Sequence, residues 1–147
     1  MSKTLLKNID ITTSQQFEIL DVTEQVHAVV TESGVTSGTV VIFSPHTTTG
    51  IRINHYEPLL LQDIMRVMYT LVPLDVSYNH DVFELRQNIA PNERTNGHAH
   101  IKAFLAGASE SLIVNEGKLV LGERQSVLFV EFDGARKRDF LVQVVGN

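Results

Sequence analysis

Apolar positions alternate near both ends of the chain and recur at helical spacing in the middle, which predicts terminal strands with helices between them. Residues 4–12 and 17–20 read as short extended segments around the polar run Thr13-Ser14-Gln15-Gln16, so an opening hairpin is expected. Asp21 and Glu24 have the spacing of a capping box. Val22, Val26, Val29 and Val30 then share one face of a helix that Gly34 closes. The run Thr39-Val40-Val41-Ile42-Phe43 is β-branched and continuously apolar, the pattern of a central strand covered on both faces, and it delivers His46 just beyond its end. Asn54 is placed to cap a second helix with Pro58 in its first turn. Leu60, Ile64, Val67, Met68 and Leu71 form one stripe of that helix, predicted to be buried, before Pro73 ends it.

Residues 74–94 hold few apolar repeats, and so long an irregular stretch in a small domain is usually functional or mobile. Thr95 or Asn96 is expected to cap a third helix over 97–106, stopped by Gly107. Beyond it, strands are predicted at 111–115, 118–121, 125–133 and 138–145, with turns at Glu116-Gly117 and Gly134. These read as an antiparallel meander. With no internal repeat, residues 1–147 are expected to form one α+β domain: a mainly antiparallel sheet or sandwich with two or three helices.

Composition narrows the partners. A chain of 147 residues with 43% hydrophobic content can build one real core. A net charge of -5 and a pI near 5.6 give no broad basic footprint, so nucleic acid is not expected, although Arg136-Lys137-Arg138 makes a local positive spot. With 0 Cys there is no disulfide and no thiolate ligand, and any metal must be held by nitrogen and oxygen. No apolar run approaches the roughly 20 residues of a membrane span, and Met1 to Lys7 lacks the apolar stretch of a signal peptide. A soluble, cytoplasmic protein without a membrane partner is the expectation.

His46, His80 and His100 stand in polar, turn-rich settings far apart in the chain. Imidazole is a common metal ligand and the side chain best suited to move protons near neutral pH. Three neutral imidazoles from separate segments would make a zinc-type site with one open position, and zinc or magnesium is the candidate ion. The simpler alternative is that each is a solvated loop or cap residue. His98 and His100 would diverge on a helix, so only one of them can join the site. His27, on the first helix, is given no role. Asp63 could orient a histidine, act as a base or coordinate directly; equally, it could be a solvated residue paired with Arg66. Thr47, Thr48 and Thr49, with the backbone at Gly50, form a hydroxyl-rich turn able to hold an anion. The start of the third helix adds free amides, with Lys102 one turn on, which together would suit phosphate. Arg136 to Arg138 are most simply a solvated turn, although an arginine there could reach a phosphate in a neighbouring subunit.

Several motifs occur in a fixed order: Ser44-Pro45-His46-Thr47-Thr48 with Gly50, the Asp63 helix ending at Pro73, Tyr78 with His80-Asp81, Ala99-His100-Ile101-Lys102 to Gly107, and Gly117-Lys118-Leu119-Val120-Leu121-Gly122 to Gln125. In this order they resemble the YjbQ family (the UPF0047 group), also named secondary thiamine-phosphate synthase. The resemblance covers about residues 17–146. It implies a sandwich-like α+β protomer, a homotrimer, and a metal site built from histidines. It also implies weak coupling of a pyrimidine pyrophosphate to a thiazole phosphate, giving thiamine phosphate. His100 matches the family motif and His98 is the spare. Gln125 and Glu131 also match family positions, and with Arg138 they join the candidate substrate-binding set of Thr47, Thr48, Thr49 and Lys102. Asp63 and His55 are the candidate catalytic residues. The chain departs from the pattern in carrying His55 where Glu is common after Ile-Asn, and Glu123-Arg124 where Thr-Trp is common before Gln125. The same residues would also permit a metal-dependent hydrolase, with Asp63 or His55 accepting a proton from water, or a trimeric metabolite- or metal-binding protein without turnover.

Overall fold

The computed structural model describes every residue from Met1 to Asn147. In chain order it runs through β1 (Lys3–Thr12), β2 (Glu18–Asp21), α1 (Thr23–Ser33), β3 (Ser37–Phe43), β4 (Thr49–Asn54) and α2 (Pro58–Leu71). Two single turns of 3-10 helix follow at Asn79–Asp81 and Phe83–Leu85, then α3 (Gly97–Ala106), β5 (Ser109–Asn115), β6 (Lys118–Leu119), β7 (Ser126–Glu131) and β8 (Lys137–Gly146). The strands make two antiparallel sheets, one of five in the order β1-β8-β3-β5-β6 and one of three in the order β2-β7-β4. This is the α+β architecture expected, with three helices.

The expected opening hairpin does not form. β1 turns Leu5, Ile9 and Ile11 to the core and pairs along its whole length with β8, from Lys3 opposite Gly146 to Thr12 opposite Lys137. β2 instead joins β7 in the smaller sheet. The intervening residues cross between layers, because Phe17 and Ile19 belong to a different apolar cluster from β1. The C-terminal strands are likewise not one meander: β5 and β6 pair in the large sheet, while β7 lies in the small one.

Two cores result. The first fills the space between the sheets with Val40, Ile42, Phe140, Val142 and Val144 from the large sheet, Ile51, Val127 and Phe129 from the small one, and the valines of α1. The second lies on the other side of the small sheet, where Ile19, Leu128, Val130 and Phe132 meet Ala99 and Ala103 of α3 and the half-buried Ile64, Met65 and Met68 of α2. β7 therefore contributes to both, with Val127 and Phe129 facing one way and Leu128 and Val130 the other. It is the strand covered on both faces. β3, expected in that role, alternates instead: Val40 and Ile42 are buried, while Val41 and Phe43 remain 39% and 40% exposed on the outer face.

Local signals held unevenly. α1 ends at Gly34 in the left-handed region (φ 65), as expected. Its start is not a capping box. Asp21 accepts instead from the Thr23 amide and hydroxyl. α2 is capped not by Asn54 but by Glu57, whose carboxylate accepts from the Leu60 amide at 2.6 Å, with Pro58 opening the helix. No α2 residue is fully buried, and Val67 and Leu71 of the predicted stripe lie open. β4 was hidden in the sequence by the threonine run that precedes Ile51 and Ile53. No helix is long and apolar enough to cross a membrane.

A buried charge cluster joins the layers at one end. Glu131 is fully buried, and its carboxylate accepts from Arg138 Nε and Nη2, the Thr13 hydroxyl and the Asp133 amide. Removing one partner leaves a desolvated charge, which costs about 3–5 kcal/mol. Arg138→Ala is expected to lower unfolding free energy by about that amount in urea denaturation, and a loss below about 1 kcal/mol would contradict the role given to this pair.

Candidate active site

β3 ends at Phe43, and the next residues turn back toward β4 through Ser44 to Thr48. Their hydroxyls are mostly committed to holding that turn. The buried Ser44 and Thr49 hydroxyls bond each other, and Thr48 Oγ1 accepts from Arg138 Nη2 at 2.7 Å. Of the three threonines expected to bind substrate, only Thr47 is exposed. Between these anchors stands His46, whose Nε2 lies 2.7 Å from Asp139 Oδ1 on β8. The carboxylate fixes the proton on Nε2 and leaves Nδ1 for another partner. Asp139 is itself held below the usual carboxylate range, chiefly by the Asn8 amide at 3.0 Å and then by His46, so it remains an anion beside the ring.

α3 supplies the opposite wall. Its first amide, on Gly97, already donates to Asp81 Oδ1 at 2.9 Å, so the phosphate slot expected at this helix start is filled by the protein's own carboxylate. His100 packs edge-on against His80, with ring centroids 4.6 Å apart. Burial pushes the His100 pKa down and the neighbouring His80 adds to this, while the Thr47 carbonyl opposes it. His80 Nε2 is buried without a hydrogen-bond partner, 3.8 Å from Glu93 Oε1, and Glu93 is paired at 2.6 Å with Arg86. His98 points away from this group, as helical spacing requires, and meets Lys102: Nδ1 and Nζ are 2.9 Å apart. Lys102 is fully buried and also lies over the Tyr69 ring, so it reaches no ligand and the substrate-binding role expected of it does not hold.

His46, Thr47, Thr49 and His100 line one open cleft of about 290 Å³, completed by Ala103, Phe104 and Ala108. A second cavity, of about 260 Å³ beneath α2, is lined by ten hydrophobic residues of twelve, with Arg52 and Asn54 as its polar groups, and holds none of the three histidines. The three histidines do not converge on one point. No group of three His, Asp or Glu side chains stands at metal-ligand spacing, and His46 is engaged by Asp139 while His80 and His100 face each other. One chain therefore does not fit the zinc-type trio.

Residues 7–147 match the family described as UPF0047 protein YjbQ-like. The chain belongs to the YjbQ family. It is 36% identical over 143 residues to the UPF0047 protein YugU of Bacillus subtilis, covering 97% of this chain and 100% of that protein. A UPF0047 protein of Methanocaldococcus jannaschii is 35% identical over 144 residues, covering 97% and 96%. Among solved structures, a YbjQ-like protein of unknown function from Sulfolobus solfataricus superposes with a TM-score of 0.90 at 33% identity, with full coverage of both chains.

The YjbQ motif positions divide between two ends of the molecule. His46, Thr47, His80 and His100 gather around the cleft. Gln125 lies beyond the other end of β7, where its Oε1 accepts from the Gly122 amide, and Ser126 beside it pairs with Asn54. His55 follows Asn54 at that same end, half-buried, and Asp63 is an exposed α2 residue paired at 3.4 Å with Arg66. None of these three joins His46 within one chain. Glu131, expected to bind substrate with Arg138, has both carboxylate oxygens taken by Arg138, Thr13 and Asp133, and Arg138 is turned onto Glu131 and Thr48 through Nε and Nη2, so the pair forms a brace behind the cleft. Asp139 was missed. Its signal was strand alternation after Arg138, which the Arg-Lys-Arg run obscured by reading as a solvated turn.

Lys102 gives this arrangement a pH signature. Burial pushes its amine down to about 8 from 10.5. Between those values the folded chain has released the proton while the unfolded chain keeps it, so stability must rise with pH there. Urea denaturation across this window is expected to show that rise in the native protein and its absence in Lys102→Met. Parallel slopes in the two proteins would contradict the buried placement.

Proposed function

We propose that this YjbQ protein is a small-molecule transferase acting on phosphorylated metabolites in the cleft of His46 and His100. Its reaction is that of a secondary thiamine-phosphate synthase: a pyrimidine pyrophosphate and a thiazole phosphate give thiamine phosphate and pyrophosphate. The observation that carries the reading is the pairing of His46 with an ionised Asp139 at the mouth of a cleft shared with a second, neutral imidazole. A carboxylate on one ring nitrogen orients the imidazole and leaves its other nitrogen to exchange a proton with a bound anion.

In the reaction the thiazole nitrogen attacks the pyrimidine methylene carbon. A C–N bond forms as the C–O bond to pyrophosphate breaks, and the bonding pair departs on the pyrophosphate oxygen. His46 Nδ1 delivers a proton to that oxygen, and the thiazole nitrogen becomes the cationic thiazolium centre. Asp139 is a positioning residue: it holds the ring and balances the imidazolium charge. The Thr47 hydroxyl, exposed on the cleft, donates to the phosphate groups, while His100, its N–H held by the Thr47 carbonyl and its ring kept neutral by burial, walls the cleft beside them. Within one chain no group of three His, Asp or Glu side chains offers the three protein ligands of a catalytic zinc site, so the steps above are assigned to the chain's own side chains.

The assembly implied by the resemblance is a homotrimer, and the outer face of the large sheet supports self-association, since Leu6, Val41, Phe43, Ile113 and Val145 lie exposed there. Light scattering is expected to give three times the 16.4 kDa chain mass, and Phe43→Glu to give the mass of one chain. A monomeric native protein would remove the trimer from the account.

Activity is tested by pyrophosphate release from the two phosphorylated substrates. Asp139→Asn is expected to lower kcat on the order of a hundredfold while changing KM little. Release of orthophosphate instead of pyrophosphate would point to a hydrolase, and full activity in Asp139→Asn would sink the proton-transfer role.

A further inference from the structure

We infer that Phe104 is a stacking platform for a planar ring of the ligand, which makes the cleft selective for phosphate esters with an aromatic or heteroaromatic body. This rests on the reading that the cleft of His46 and His100 takes a phosphorylated small molecule.

Phe104 is 87% exposed, and a single exposed hydrophobic residue needs no explanation by itself. Its place gives the exposure meaning. It lines the same cleft of about 290 Å³ as His46, Thr47 and His100, and is the one aromatic hydrocarbon ring on that rim. It follows His100 by four residues on α3, so the two side chains share a helix face one turn apart. Long side chains on a helix lean toward its N-terminus, which brings the Phe104 ring over toward His100. Ala103 and Ala108, the neighbouring wall residues, are too small to cover the ring face.

Residues four apart on a helix have Cβ atoms about 5–6 Å apart, so a planar group laid on Phe104 carries its substituents toward His100, with His46 and Thr47 lining the same cleft. That spacing suits a phosphate attached through a short ester arm. Aromatic stacking is tolerant of ring identity because every planar heterocycle presents a π-face. The platform selects flatness, while His46 and Thr47 select the phosphate.

The test is calorimetric binding of three probes to the intact protein: inorganic phosphate, methyl phosphate and phenyl phosphate. Phenyl phosphate is expected to bind on the order of tenfold tighter than methyl phosphate. Phe104→Ala should erase that ratio while leaving inorganic phosphate affinity and assembled mass unchanged, and Phe104→Tyr should preserve it. If native protein binds inorganic phosphate but shows no preference for the phenyl ester, or if Phe104→Ala keeps the preference, the platform alone is overturned. A change of assembled mass in Phe104→Ala would likewise overturn it, by making the ring a subunit contact. If no probe binds native protein, the phosphate reading falls and the platform with it.

Discussion

The ion pair between Glu131 and Arg138 is the constraint on which the rest of the site depends. A carboxylate removed from water must be fully hydrogen-bonded or it destabilises the fold, and Glu131 meets that demand with donors from three places in the chain: Thr13 at the end of β1, Asp133 beyond β7, and Arg138 on β8. Arg138 in turn donates to Thr48, which fixes the turn carrying His46. Because successive strand residues face opposite ways, locking Arg138 inward sends Asp139 outward, to within 2.7 Å of His46. The same buried pair thus sets both halves of the His46–Asp139 unit.

Polar burial is concentrated at this end of the molecule. Glu131, Asp133, Asn96, His98 and Lys102 are all buried here, whereas the core between the two sheets is made of valines, isoleucines and phenylalanines. Asp133 shows how the charges are tolerated: burial pushes its carboxyl up, and the Asn96 amide with Arg136 and Arg94 more than reverses this. Lys102 meets His98 and the Tyr69 ring but no carboxylate, and burial keeps its amine depressed. Such departures from a purely apolar interior are expected where a fold gives up stability to position chemistry.

What the sequence disclosed follows from how local each signal is. The bounds of α3 were legible because Asn96-Gly97 and Gly107 punctuate it, and His46 was placed correctly by the apolar run before it. Strand pairing was not legible, since Lys3 finds Gly146 at the far end of the chain and nothing nearby announces that partner. β3 looked covered on both faces because its outer residues, Val41 and Phe43, are apolar yet open in the single chain. The candidate site divided in the same way. His80 and His100 do meet, but the surroundings that decide their role, such as the burial that keeps His100 neutral, are tertiary facts. Glu131, Arg138 and Lys102 were recognisable as special residues, yet only packing shows that they brace the cleft from within rather than line it.

The most direct test of the central claim is nitrogen-resolved NMR of the imidazoles during titration with inorganic phosphate. The account predicts that His46 and His100 resonances shift together and saturably, with the His46 Nε2 proton retained against Asp139, while His27 on α1 stays fixed. Phosphate that leaves His46 and His100 unmoved, or that moves His27 equally, would contradict it.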